Sequence, residues 1–159
     1  MRKLKIYIET SVWNHLLAED APEARAATEA LFREIDQYEI YISDLVFGEI
    51  DETRDAKKRK MLRDTVERYQ PHVLAADDDE VITLASRYIE EKVIPPSAED
   101  DATHVAVAVV EGLDVIVSLN MDHVASLRAR RGINGVNALT GYRVIEIATP
   151  REVANYGKD

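Results

Sequence analysis

The stretch KIYIETSVWNHLL, residues 5–17, decides the fold, because it joins an apolar strand to an acid and then to a helix. The apolar half predicts a buried strand, and Thr10 or Ser11 is expected to cap a helix that starts at Val12. Glu9 stands between them, where burying its charge costs free energy unless the carboxylate has a partner. Glu9 is therefore either the point at which the strand reaches solvent or one corner of a cluster of acids that holds a metal ion.

The composition is that of a globular protein with an excess of acids. A length of 159 residues predicts a single domain, residues 1–159, with a sizeable core. The absence of cysteine excludes disulfides, thiolate metal sites and a cysteine nucleophile. A net charge of −10 argues against broad electrostatic binding to nucleic acid, which needs Lys and Arg to displace counterions. It still allows a nucleic-acid enzyme whose acids hold metal ions and whose basic residues are local.

No apolar segment has the length of a signal peptide or a membrane span. The N-terminal run is too short for a signal peptide, and the longest other run, 105–110, is far too short to cross a bilayer. We therefore expect a cytoplasmic protein without a membrane partner.

Predicted strands and helices alternate along the rest of the chain. Further strands are expected at 39–42, 114–120 and 142–147, with a short extended piece at 72–75. Helices are expected after Pro22, from Ser43 to about Thr53, and over 56–69, 78–92, 97–112 and about 122–130, with a loop over 132–141. This alternation predicts an α/β fold, a three-layer α/β/α sandwich around a mostly parallel sheet. Ligands of such folds bind beyond the carboxyl ends of the strands.

Acidic and amide side chains follow the predicted strands. Glu9 ends the first strand, Glu49 lies on or beside the apolar face of the helix after the second, and Asp101 lies in the first turn of a later helix. Asn120 and Asp122 follow the strand at 114–120. Each has an ordinary structural explanation when taken alone, but like charges held together destabilise a fold unless a cation neutralises them. Mg²⁺ and Mn²⁺ prefer such oxygen ligands, so the set predicts a metal site.

Four motifs, in this order along the chain, resemble those of a known family. They are YIETS (7–11), ISDLVFGEI (42–50), EDDATHVAVA (99–108) and VSLNMDH (117–123). The set resembles the PIN-domain family, in particular the toxin-like (VapC-type) ribonucleases of bacterial and archaeal toxin–antitoxin pairs. The resemblance covers nearly the whole chain, and it implies a sheet flanked by helices and metal-dependent endonucleolytic cleavage of RNA.

The resemblance also implies roles for individual residues, with Mg²⁺ or Mn²⁺ as cofactor. Four positions are expected to be catalytic and metal-binding: Glu9, Glu49, Asp101 and Asn120. Three more are expected to support the site: Thr10, Ser11 and Asp122. The family usually has aspartate at the position of Glu9, which is one methylene longer and is typical of a subgroup. Many members have an acid at the position of Asn120, whose neutral amide weakens a second metal position.

Basic and histidine residues near these motifs carry less information. Arg128, Arg130 and Arg131 are the expected contacts to the substrate, whereas the run KKRK at 57–60 is interpreted as a solvated face. The four histidines show no H-x-x-x-H pairing of the kind that binds zinc. His104, three residues after Asp101, is expected to pack in its helix, with a position lining the site as the alternative.

The main hypothesis is a metal-dependent endoribonuclease, the toxin of a type II toxin–antitoxin pair. RNA is then the substrate and an antitoxin the protein partner, and the resemblance implies a homodimer. The alternative is a catalytically silent PIN-like domain that binds RNA or a protein. A phosphatase or receiver-like domain is disfavoured, because no D-x-D follows the first strand.

Overall fold

The computed structural model describes residues 2–156 and is built around a five-stranded sheet. Its strands are β1 Leu4–Ile8, β2 Tyr38–Ser43, β3 His72–Leu74, β4 Val115–Val117 and β5 Glu146–Ala148. Their order is β3-β2-β1-β4-β5, and every neighbouring pair is parallel. The carboxyl ends of all five strands therefore lie at one edge, as the alternation of strands and helices predicts.

Helices cover both faces of this sheet. The α-helices described in residues 2–156 are α1 Thr10–His15, α2 Pro22–Arg33, α3 Asp44–Asp51, α4 Ala56–Tyr69, α5 Asp79–Glu90, α6 Glu99–Val110, α7 Leu127–Leu139 and α8 Pro150–Ala154. Short 3-10 turns occupy Ile35–Gln37 and Pro96–Ala98. Across residues 2–156, none of these helices is both long and apolar enough to pass through a membrane.

The core consists of two layers separated by the sheet. On β1, Tyr7 points into a layer formed with α5, α6 and α7, whereas Ile6 and Ile8 point into a layer formed with α1 to α4 and α8. All three side chains are 0% exposed, because neighbouring residues of a strand face opposite sides and both sides are covered. The predicted three-layer α/β/α sandwich is confirmed.

The predicted loop over 132–141 is wrong, since most of it belongs to α7. Ala129, Ile133 and Val136 recur at helical spacing and are buried, which stabilises the helix against the core. The preceding segment does not form the helix expected around 122–130, because α7 begins only at Leu127, capped by Ser126. The last strand is also shorter than the predicted 142–147 and ends one residue later.

The expected caps at Thr10 and Ser11 are wrong as well. Helix α1 begins at Thr10, and Glu9 occupies the N-cap position without a side-chain cap hydrogen bond. The hydroxyl of Thr10 donates instead to Glu49, and that of Ser11 donates to Glu9. Both hydroxyls thus act as donors to carboxylates, and hydrogen bonds to an ionised acceptor are stronger than those between neutral groups.

Candidate active site

The predicted site residues come from four segments that end at the same edge of the sheet. Glu9 directly follows β1, Glu49 lies on α3 after β2, Asp101 lies in the first turn of α6, and Asn120 follows β4. Glu9, Glu49 and Asp101 all lie close enough to His104 for their charges to raise its pKa. The structure thus brings the three acids around one buried imidazole.

Glu9 is a buried carboxylate whose hydrogen-bond donors are neutral. Its side chain is 5% exposed, and Oε1 accepts from the hydroxyl of Ser118 at 2.9 Å and from that of Ser11. Each serine also accepts a backbone N–H from the segment after β4, from Asn120 and Leu119 respectively, at 3.0 Å. Among residues 2–156, Glu9 forms no ion pair with a Lys, Arg or His side chain. Its position is therefore fixed without any neutralisation of its charge.

Glu49 is held by a chain of buried polar groups. Its Oε1 accepts from Thr10 Oγ1 at 2.8 Å and from His104 Nε2. The other ring nitrogen of His104, Nδ1, lies 2.6 Å from Tyr7 OH, which in turn lies 2.8 Å from Ser43 Oγ. His104 and Ser43 are completely buried, so this chain is shielded from water.

The pKa values of the pair reflect this arrangement. Burial lowers the pKa of His104, but the hydrogen bond to Glu49 and the charges of the surrounding acids outweigh it and leave the pKa above the ordinary 6.5. Burial raises the pKa of Glu49, but its hydrogen bonds to His104 and Thr10 leave it below the ordinary 4.5. Burial raises the pKa of Tyr7, so its phenol stays neutral. At neutral pH, Glu49 is therefore a carboxylate.

Asp101 and Asn120 are connected through His123. The Nδ1–H of His123 donates to Asp101 Oδ2 at 3.1 Å, and its backbone N–H donates to Asn120 Oδ1 at 3.0 Å. Asp100, the neighbour of Asp101, has a raised pKa because of partial burial and the nearby charge of Glu49. A further acid therefore borders the site.

In donor chemistry these residues fit a hard divalent cation. Carboxylate and amide oxygens are the ligands that Mg²⁺ and Mn²⁺ prefer. Within residues 2–156, each of the three acids has one carboxylate oxygen that accepts no hydrogen bond from protein donors: Glu9 Oε2, Glu49 Oε2 and Asp101 Oδ1. Over the same residues 2–156, no three His, Asp or Glu side chains converge on one point at metal-ligand spacing. Each acid instead has its own hydrogen-bond partners.

The remaining predicted residues lie outside this cluster. Asp122 is exposed and lines a neighbouring cleft between residues 89–96 and the start of α7, together with Arg128. Arg130 is bound in two hydrogen bonds of 2.6 and 3.1 Å to Glu152. Arg131 is exposed and does not line the cleft. Of the three arginines, Arg128 alone both lines the cleft and is exposed.

Sequence reasoning missed several partners of the acids. His104 was expected to pack in its helix; it is fully buried, yet its ring also bonds directly to Glu49. The available signal was its place one turn after Asp101, on the same helix and at the same end of the sheet. Ser118 and His123 flank Asn120, but their hydroxyl and imidazole carry no spacing signature of their own.

Comparisons with known proteins agree with this architecture. The crystal structure of VapBC2 from Rickettsia felis, bound to a DNA fragment from their promoter, contains a similar chain, with a TM-score of 0.54 and 10% identity. The similarity covers 92% of this chain and 98% of that one, and at such identity it concerns the fold. No curated protein matches the sequence. A family model described as PIN domain matches residues 6–126, well over half of the chain. The chain therefore belongs to the PIN-domain family.

Proposed function

We propose that this protein is a divalent-metal-dependent endoribonuclease that hydrolyses RNA phosphodiester bonds and acts as the toxin of a type II toxin–antitoxin pair. Membership of the PIN-domain family supports a nuclease. The order of the four sequence motifs and the similar fold in VapBC2 support the toxin-like branch. The cofactor is Mg²⁺ or Mn²⁺.

The observation that carries this proposal is the environment of Glu9. A buried carboxylate is ordinarily paired with a cation or bound to a metal. Glu9 is 5% exposed, and within residues 2–156 it has two serine hydroxyls as partners and no ion pair. A divalent cation at this edge of the sheet supplies the missing positive charge.

The residues of the site then have distinct tasks. Glu9, Glu49 and Asp101 would hold the ion, with Asn120 as a neutral fourth ligand. Ser11 and Ser118 orient Glu9, and the separate hydrogen bonds of Glu49 and Asp101 orient those carboxylates. When bound, the metal supplies Lewis acidity that activates water and neutralises charge on the phosphate. No side chain of the protein is then needed as a nucleophile.

The proposal includes a substrate, protein partners and a location. Because the net charge is −10, RNA contact has to be local, and Arg128 beside the site is the candidate for binding a phosphate. An antitoxin would place a segment across the acidic edge. Two copies of the chain are proposed to pair through helices, and the cytoplasm is the proposed location.

Replacing Asp101 with Asn tests the proposal. The substitution removes one ligand charge with little change in shape, so Mn²⁺-dependent cleavage of a labelled RNA is expected to fall at least about 100-fold. Glu111→Gln, an exposed acid at the other end of α6, is the matched control and is expected to cleave normally. Equal metal-dependent cleavage by wild type and Asp101→Asn would refute the assignment.

A catalytically silent PIN-like domain is the second candidate. It is favoured by Asn120, which carries no charge and whose Oδ1 already accepts the backbone N–H of His123. Thermal denaturation separates the two, because an ion that binds the folded protein raises Tm by mass action. No shift with Mn²⁺, together with retained RNA binding, would favour the silent domain.

A further inference from the structure

His104 is a buried ionisable group to which the proposed mechanism assigns no task of its own. We propose that His104 is a positioning residue, which holds Oε1 of Glu49 and leaves Oε2 available as a ligand that would hold the metal. The inference rests on the proposed function, since it concerns the same site. It adds a residue that would not touch the ion or the RNA and that acts through Glu49.

The imidazole is fixed on both sides. Nε2 bonds to Glu49 Oε1, and Nδ1 lies 2.6 Å from Tyr7 OH. The rings of Tyr7 and His104 also pack edge to face, with centroids 5.7 Å apart and an angle of 61°. Ser43 holds the far side of the phenol at 2.8 Å. A ring held at both nitrogens and packed against an aromatic neighbour cannot turn without breaking buried hydrogen bonds, which is costly.

The direction of the hydrogen bond to Glu49 does not depend on the protonation of His104. A carboxylate can only accept, so Nε2 carries the hydrogen in both the neutral and the charged ring. Tyr7 adapts to either form, because its hydroxyl donates to a bare Nδ1 and accepts from a protonated one. Ser43 can likewise donate to or accept from Tyr7. The same set of contacts is therefore compatible with both the neutral and the charged ring.

Two donors converge on one oxygen of Glu49 and leave the other without a protein donor. Thr10 Oγ1 and His104 Nε2 both bond to Oε1. Within residues 2–156, Oε2 accepts no hydrogen bond from the protein. This asymmetry orients the carboxylate like a metal ligand held by an outer partner, and loss of such a partner typically lowers metal affinity by 10–100-fold.

A pair of substitutions separates positioning from packing. In His104→Gln the side-chain amide can place its N–H near the position of Nε2 and keep the bond to Glu49. In His104→Asn the shorter amide reaches toward Tyr7 and leaves Glu49 without that donor. Both variants lose the ring, so a role in packing alone predicts similar defects in the two proteins.

The experiment is titration of the full-length chain with Mn²⁺, followed by isothermal calorimetry, with circular dichroism to establish folding. We expect His104→Asn to bind Mn²⁺ about 10–100-fold more weakly than wild type and His104→Gln to retain most of the affinity. His72→Gln, on the edge strand β3, is the matched control and is expected to bind normally. Equal affinities for the Asn and Gln variants would overturn the proposal.

The same Mn²⁺ titrations also interpret two other possible results, namely variants that do not fold and a wild-type protein that does not bind Mn²⁺. If neither His104 variant folds, Tyr7→Phe is measured, since it keeps the ring contact and removes only the hydroxyl that holds Nδ1. A several-fold loss of Mn²⁺ affinity in Tyr7→Phe supports positioning, and unchanged affinity overturns it. Absence of Mn²⁺ binding by wild type would refute the metal site and this role with it. Normal binding by wild type and by every variant would refute only the role of His104.

Discussion

Replacing Glu9 with Gln is expected to separate stability from metal binding. Gln keeps an oxygen that can accept from Ser11 and from Ser118, which lies 2.9 Å away, but it removes the buried negative charge. Hydrogen bonds to a neutral acceptor are weaker than those to a carboxylate, whereas relief of repulsion among the acids around His104 acts in the opposite direction. The two effects largely cancel in the metal-free protein.

The expected shift in Tm on binding Mn²⁺ can be calculated from the length of the chain. An ion present at 100 times its Kd stabilises the folded state by about 2.7 kcal/mol. For 159 residues the entropy of unfolding is about 0.33 kcal/mol/K, so wild type is expected to gain about 8 °C in Tm. With one ligand charge removed, the gain for Glu9→Gln is expected to fall below about 2 °C at the same Mn²⁺ concentration. In EDTA its Tm is expected to stay within about 3 °C of wild type, equivalent to about 1 kcal/mol.

The assay is thermal unfolding followed by circular dichroism, in EDTA and in a series of Mn²⁺ concentrations. Glu111→Gln removes the same charge from an exposed position and serves as the control, with the full metal-dependent gain expected. A Glu9→Gln protein that keeps the wild-type gain would refute Glu9 as a ligand. A metal-free variant that is much less stable than wild type would show that the carboxylate has a structural role instead.

The effects of four further substitutions are checked by urea denaturation. Trp13→Ala is expected to lower the free energy of unfolding by about 3–5 kcal/mol, because the indole is 1% exposed and its N–H donates to a backbone carbonyl; a loss under about 1 kcal/mol would contradict this. Gly135→Ala is expected to stabilise α7 by roughly 0.5–1 kcal/mol, since no atom lies within 4 Å of the added Cβ. Gly132→Ala on the same helix is expected to cost about 1–3 kcal/mol, because a valine methyl lies 2.9 Å from the added Cβ, and equal effects of the two would refute the packing argument. The hydrogen bond from Arg130 lowers the pKa of Glu152. Glu152→Gln is therefore expected to lower the free energy of unfolding by less than about 1 kcal/mol near pH 7. The difference from wild type should vanish as the pH falls below the ordinary 4.5 toward the lowered pKa, because Glu152 is then protonated.

The local sequence pattern is sufficient to predict a helix whose apolar residues form one regular stripe that faces the core. The predicted helix 56–69 coincides with α4, because Leu62 and Val66 face the core at helical spacing. It was insufficient in α7, where the glycines and asparagines of 132–141 favour a loop. Gly132 is explained by a close approach to Val93, a residue of a different segment, and no local pattern reveals that contact.

The candidate site also combines features that the local sequence predicts with features that depend on tertiary contacts. The proximity of Glu9 and Glu49 could be predicted because they follow neighbouring strands and parallel strands end at one edge, whereas Asp101 comes from a helix that does not follow a strand. Their partners depend on tertiary register instead: Tyr7 meets His104 across 97 residues of chain, and Ser118 meets Glu9 across 109. Which hydroxyl or imidazole turns toward an acid is settled by the packing of side chains between these segments.

The central place of β1 in the sheet has a consequence for synthesis of the protein. Among the strands of this sheet β1 comes first along the chain, yet one of its two neighbours is β4, and Lys5 meets Asp114 across 109 residues. Pairings that close long loops form slowly during folding. A nascent chain that ends before β4 leaves one edge of β1 open and Glu9 without Ser118. The proposed metal site is therefore completed only after the segment that follows β4 has been synthesised.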